Sequence, residues 1–272
     1  MGANLTLVNQ EQRRDVEIDP RASVHSDAQL GEGCRIGPFA VVGEGVTLGK
    51  NCTLQAHAVV TGPTRMGNEN EVYSFACIGG APQDLRHRGE ATELIVGDGN
   101  AFREHVTVGR GTVHGGGKTV IGNDNLIMAY CHIAHDCIIG NNVVMANNAT
   151  LAGHVQVQDF AVFGGMVAVA SFVRIGESAM LAAGSLLEKD VPPYAMVAGD
   201  RAVLKGVNRV GISRRGFSDS AKRDIKMIIK ALKYSRTSLA EIIESVENTG
   251  PLSMEAERLI AFLRERQRSI TR

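Results

Sequence analysis

From Ile18 an aliphatic residue recurs at every sixth position, through Val24, Leu30, Ile36, Val42, Leu48, Leu54, Val60, Met66 and Val72 to Ile78. The beat resumes at Ile121 and runs through Ile127, Ile133, Ile139, Met145, Leu151, Val157, Phe163, Val169, Ile175 and Leu181 to Leu187. A helix repeats at 3.6 residues and a half-buried strand at 2, so neither produces this spacing. A six-residue beat makes one short strand per hexad, and about 18 residues close one turn of a triangular prism. The fourth position after each aliphatic is small or β-branched, as at Ala28, Cys34, Ala40, Cys52, Ala58, Cys131 and Ala149, so two of every six side chains point inward. Glycine follows the aliphatic directly at Gly31, Gly37, Gly49, Gly67, Gly122 and Gly140, where the corner is expected to need positive φ. The predicted architecture is an all-β parallel β-helix. Stacked at a strand spacing of ~4.8 Å, eight or nine coils would form a rod roughly 40 Å long.

Composition fits a narrow prism filled by aliphatics: 44% of 272 residues are hydrophobic, yet there is no Trp and only 4% are aromatic. The opening MGANLTLVNQEQRRD has no apolar core, and no later run approaches the ~18 apolar residues of a membrane span. The expectation is a cytoplasmic protein with no integral membrane segment. Met1 to Thr6 fits a loose myristoylation pattern with Gly2, a pattern short enough to arise by chance. Cys34, Cys52, Cys131 and Cys137 all fall in the small inward slot and read as buried free thiols. Net charge is zero, but from Lys205 onward 15 Lys and Arg face 8 Asp and Glu. That basic tail reads as a solvated helical face or as a dock for an acidic partner; nucleic acid is not expected.

The beat fails twice. After Ile78, Asp84 and Glu90 stand where aliphatics are due, so 79–95 is expected to loop out before Val96, Phe102 and Val108 restore the period. A second excursion over 109–120, with Gly115, Gly116 and Gly117, shifts the frame by one residue. Loops thrown from a rigid solenoid commonly carry binding groups. The expected organisation is a tail at 1–15, the β-helix at 16–190, and a linker with a small α-helical domain at 191–272, entered after Pro192 and Pro193. Ser218 is a plausible N-cap for a helix burying Ile225, Ile228, Ile229 and Leu232. Ser238 with Glu241 forms a capping box for a second, and Leu259, Ile260 and Leu263 mark a third, the three capping the open end of the prism.

The chemistry-bearing cluster is His132-Ile133-Ala134-His135-Asp136-Cys137. With Ile133 inward, the frame sends His135 and Asp136 to an outside corner, and His154, 18 residues on, falls one coil beneath Asp136. A histidine beside a carboxylate suits general-base work, because imidazole titrates near neutrality and the carboxylate fixes its tautomer. A surface histidine is more often decoration, but three beside two excursions argue for function. A second reading is a zinc lyase of the γ-carbonic-anhydrase type, in which His132 and His135 would be ligands shared between subunits, although no further Cys or carboxylate completes a set.

PQDL at Pro82 to Leu85, Gly89-Glu90, HIAHDC at His132 to Cys137, NNATLAGH at Asn147 to His154, DVPPY at Asp190 to Tyr194 and RRGFS at Arg214 to Ser218 together resemble the acyl-carrier-protein-dependent UDP-N-acetylglucosamine O-acyltransferases. The resemblance runs from Ile18 to the C-terminal helices. It implies a left-handed parallel β-helix, an exception to the right-handed crossover preference, followed by a small C-terminal α-helical domain and assembled as a homotrimer with sites between subunits. It implies transfer of an R-3-hydroxyacyl group from acyl carrier protein to the 3-hydroxyl of UDP-N-acetylglucosamine, beginning lipid A biosynthesis, without cofactor, metal or acyl-enzyme. By resemblance His135 is the general base, Asp136 its orienting partner, and the Gly153 N–H an oxyanion donor. Gln83, Asp84, Arg86, His132 and His154 would contact sugar and acyl chain, and Asn208, Arg214 and Arg215 the nucleotide. Ala183, with Met180, would set the acyl-chain ruler.

Arg86 stands where the family usually has Lys, Ala170-Ser171 where it has His-Gln, Arg201 for a His, and Val210 for a carboxylate. These departures leave the base and oxyanion donor in place and keep a 3-amino sugar nucleotide open as the acceptor. The related N-acyltransferases usually carry an added N-terminal uridine-binding domain, against about 15 residues before the first coil here.

Overall fold

The computed structural model describes residues 16–266 and 268–272; the tail at 1–15, with its myristoylation pattern, lies outside them. Each hexad makes one short strand, and strands three hexads apart pair in parallel, Ile36 beside Leu54 and Leu54 beside Val72. The pairing builds three sheets of 11, 9 and 8 strands, the faces of a left-handed parallel β-helix. Every aliphatic of the beat from Ile36 to Leu187 is buried, whereas Ile18, Val24 and Leu30 of the first coils are only partly so. All five cysteines are free thiols; Cys34, Cys52, Cys131 and Cys137 occupy the inward slot and donate to backbone carbonyls at 3.0–3.3 Å.

The glycines after the aliphatics are not the positive-φ residues. Positive φ falls two residues later, mostly at non-glycine positions such as His57, Phe75, Tyr130, Asp136 and His154. Those glycines serve close stacking of coil on coil: a Cβ at Gly31 would lie 2.5 Å from the Gly49 carbonyl, and one at Gly49 equally close to that of Gly67.

The excursions are narrower than the expected 79–95 and 109–120, since strands Cys77–Gly80, Glu93–Val96, Thr107–Gly109 and Lys118–Ile121 reach into them. Val72 pairs with Phe102 and Phe102 with Ile127, so the coils close over both loops. The β-helix also runs past 190: Val191 bridges Ile175, Ala195–Ala198 pairs in parallel with Met180–Leu181, and Asp200 bridges Leu186. Pro192 and Pro193 sit at the corner between, where the missing N–H interrupts no ladder. The first sheet thus has ten parallel strands, more than the eight or nine coils expected, and Val203–Val207 closes it antiparallel to Ala195–Ala198.

Four helices follow. α1 (Arg209–Arg214), capped by Asn208, was not signalled by the sequence pattern. α2 (Asp219–Tyr234) is capped by Ser218 and buries Ile225, Ile228, Ile229 and Leu232; α3 (Leu239–Glu247) carries the Ser238–Glu241 capping box; α4 (Met254–Arg264) buries Leu259, Ile260 and Leu263. The helices do more than cap the prism end. Arg174 on the third sheet lies 4.2 Å from the Phe262 ring centroid and donates to the Phe262 carbonyl, so α4 reaches back along that face.

Candidate active site

The corner between the second and third sheets gathers the titratable cluster. His132 begins a strand and its Nδ1 is 2.7 Å from Thr107 Oγ1. His135 Nδ1 lies 2.7 Å from Asp136 Oδ2, and His154 Nε2 lies 3.7 Å from the same oxygen. A carboxylate on Nδ1 selects the Nδ1–H tautomer and leaves Nε2 as the basic nitrogen. The His154 ring stacks on Phe172 at 4.4 Å and meets His135 edge-on at 5.2 Å. Burial pulls both His132 and His154 below the ordinary imidazole value, favouring neutral rings. Gly153 is buried against His135, where a Cβ would stand 2.5–3.0 Å from three ring atoms, so only glycine leaves room for the ring. Its N–H makes no hydrogen bond among the described residues.

Asp136 departs from the expected exposed corner. It lies outside the prism core, yet its side chain has 0% exposure because the 110–117 loop folds over it. Thr112 N donates to Oδ1 at 2.8 Å and Thr112 Oγ1 to Oδ2 at 2.7 Å, while the Asp136 N–H donates to Thr119 Oγ1. Periodicity gave no sign of Thr112 or Phe172: the first lies in the frame-breaking loop and the second at an ordinary corner.

The first excursion adds Gln83, Asp84 and Arg86. A cleft of about 100 Å³ between loop and second sheet is lined by Gln83, Thr107, His132 and His135. Arg86 grips Asp84 through its Nε and Nη2, at 2.7–3.2 Å, and holds that carboxyl well below the usual carboxylate range. The charges of Asp84 and Arg86 are felt at His154 and that of His135 at Asp84, so the eight expected residues Gln83, Asp84, Arg86, His132, His135, Asp136, Gly153 and His154 belong to one corner.

The remaining expected residues lie elsewhere on the same chain. Asn208, Arg214 and Arg215 stand beside the corner between the third and first sheets. The Asn208 amide is engaged, accepting from Gly211 N at 3.0 Å and donating to the Ser178 carbonyl at 2.9 Å. Arg215 pairs with Glu177, donates to Ser178 Oγ at 3.0 Å and lies over the Phe160 ring at 4.0 Å, whereas Arg214 is exposed. Arg215, Glu177 and Phe160, with Arg258, line a cleft of about 590 Å³ beside α4; Asn208 and Arg214 do not line it. Met180 is half-buried on the first sheet and Ala183 exposed at the third corner. Among the departures, Arg201 pairs with Glu188 and Val210 is exposed.

His135, Asp136 and His154 offer ligand atoms within 4.8 Å of one another, a spacing a cation could use. This is a different set from the expected His132 and His135. Both Asp136 oxygens accept hydrogen bonds from Thr112, and Oδ2 also meets His135 Nδ1.

Residues 190–271 match the family model described as UDP N-acetylglucosamine O-acyltransferase, domain 2, and residues 13–44, 27–62 and 118–153 match the bacterial transferase hexapeptide repeat. The acyl-(acyl-carrier-protein)–UDP-N-acetylglucosamine O-acyltransferase of Halorhodospira halophila is 47% identical over 94% of this chain and 99% of its own. Solved UDP-N-acetylglucosamine acyltransferases are similar throughout: that of Bacteroides fragilis has TM-score 0.91 at 35% identity, covering 94% of this chain and 100% of its own. That of Francisella novicida has TM-score 0.89 at 34% identity, covering 94% of each.

Proposed function

Because this chain belongs to the acyl-carrier-protein-dependent UDP-N-acetylglucosamine O-acyltransferases, we propose that it begins lipid A biosynthesis by moving an R-3-hydroxyacyl group onto the 3-hydroxyl of UDP-N-acetylglucosamine. The γ-carbonic-anhydrase reading gives way to that membership. The observation that carries the mechanism is the buried Asp136 on Nδ1 of His135, which leaves Nε2 as the basic nitrogen. His135 Nε2 takes the sugar hydroxyl proton as the oxygen attacks the carrier thioester carbonyl. The tetrahedral oxyanion accepts from the Gly153 N–H, and its collapse releases the carrier thiolate, which regains the proton from His135.

His132 and His154, neutral by burial, bind sugar and acyl hydroxyl beside Gln83, Asp84 and Arg86. Arg215 and the exposed Arg214 receive the diphosphate, with Asn208 holding their helix, and Ala183 with Met180 limits the acyl chain. These groups sit on different corners of one chain, which supports a homotrimer whose sites join corners of neighbouring subunits. The basic face of α2, with Lys222, Lys226, Lys230 and Lys233 beside a cleft of about 490 Å³, suits an acidic carrier protein. Among the described residues no helix is long and apolar enough to cross a membrane, in keeping with cytoplasmic work.

His135→Ala is expected to lower turnover roughly 10²- to 10⁴-fold with the fold intact; near-normal turnover removes the assignment. Ala170 and Ser171, in place of the family's His-Gln, make the acceptor the part of this reading to check against a 3-amino sugar. Product mass spectrometry with both acceptors and a ladder of hydroxyacyl carriers separates ester from amide.

A further inference from the structure

We infer that the 110–117 excursion is a clamp that orients the catalytic pair, with Thr112 as its positioning residue. Asp136 has two oxygens, and one threonine occupies both. The Thr112 N–H fixes Oδ1 at 2.8 Å, and its hydroxyl fixes Oδ2 at 2.7 Å, the oxygen that also meets His135 Nδ1 at 2.7 Å. A carboxylate held at both oxygens cannot rotate about its χ2 axis, so the direction of its pull on His135 is set before substrate arrives. That is preorganisation of the kind that lowers a barrier without touching the substrate.

Two further features belong to the same clamp. Gly115 comes so near that a Cβ there would stand 2.0–2.3 Å from the carboxylate atoms, which closes the site to water. The Thr112 hydroxyl also accepts from Gly115 N at 3.1 Å, capping the tight turn Val113–Gly115 and tying the lid to the group that grips Asp136. On the opposite side the Asp136 N–H is held by Thr119 Oγ1, from the strand that ends the excursion. Asp136 is therefore held from both ends of one loop, its carboxylate by Thr112 and its backbone by Thr119. A regular coil cannot do this, because its next corner residue lies a full coil away.

The inference rests on His135 being the base, and its test separates the two. Thr112→Val keeps the shape and N–H but deletes the hydroxyl donor; Thr112→Ser keeps both donors. Thr112→Val is expected to lower kcat about 10- to 100-fold, the usual effect of removing a group that orients a catalytic ligand, and to leave KM for UDP-N-acetylglucosamine within about twofold. The long-range ¹H–¹⁵N spectrum of His135 should show loss of a single Nδ1–H tautomer, and Thr112→Ser should restore both kcat and tautomer. An unchanged kcat and tautomer in Thr112→Val while His135→Ala is inactive overturns the clamp alone. A Thr112→Ser protein as impaired as Thr112→Val, or a KM effect without a kcat effect, also overturns it. If thermal melting shows Thr112→Val unfolded, the kcat and tautomer of Gly115→Ala, which pushes the carboxylate with the hydroxyl intact, decide instead: wild-type behaviour there overturns the clamp.

Discussion

His132 and His154 are held below the ordinary imidazole value mainly by burial, and this ties stability to pH. A histidine depressed in the folded state binds its proton more readily when unfolded. Stability therefore rises with pH between the folded and unfolded values, is complete above an unfolded value near 6.5, and is lost as pH falls below it. Urea denaturation between pH 7.5 and 5.5 should show that loss, and His132→Asn with His154→Asn should flatten it. An equally steep slope in the double variant would place its origin in other groups. The crowding that burial creates also explains Gly153, since the space a methyl group would need is filled by the ring of His135.

At the scale of strands and coils, the excursions raise a question that the beat alone does not: what keeps the prism in register where the chain leaves it. Asn70, Asn100 and Asn125 occupy the inward corner slot on either side of the two loops, and all three are buried. Asn70 Oδ1 accepts from Asn100 N and Nδ2 at 3.0 and 2.9 Å, Asn100 Oδ1 from Asn125 N and Nδ2 at 3.0 and 2.8 Å, and Asn125 Oδ1 from Val143 N at 2.7 Å. This ladder bridges coils whose spacing in sequence is irregular. Asn100→Ala orphans the buried Asn125 N–H and leaves Asn70 Oδ1 with the backbone donor alone, so a loss of roughly 2 kcal/mol is expected in chemical denaturation, from about 1–3 kcal/mol per unsatisfied group. A loss under about 0.5 kcal/mol would mean the coils hold register without it.

For the whole molecule, the decisive fact is that the base and the groups proposed for nucleotide and acyl chain lie on three different corners. Leu85, at the tip of the first excursion, is 96% exposed, an apolar side chain on the loop nearest the base. In the proposed homotrimer a second copy would complete the site and cover that loop. His135→Ala and Arg215→Ala are each expected to be nearly inactive as pure proteins. Co-refolded in equal amounts they should regain about a quarter of wild-type activity, the fraction of interfaces at which both contributing residues are intact in a cyclic trimer. No recovery in mixed trimers would place the whole site within one chain.

The six-residue beat was enough to assign the buried aliphatics of the regular coils, the four inward cysteines and the neighbourhood of His135, Asp136 and His154. It could do so because each hexad repeats the same local decision, strand then corner, and stacking only copies it along the axis. The caps at Ser218 and Ser238 were legible for the same local reason. What the sequence left open lies where repetition stops. The grip of Thr112 on Asp136, the burial of that carboxylate, the asparagine ladder across the loops and the added coil after Pro193 depend on where an aperiodic segment returns to the prism. The reason for the glycines also became visible only between coils, where one backbone presses on the next. Period fixes an address within a coil; only tertiary structure decides which addresses meet.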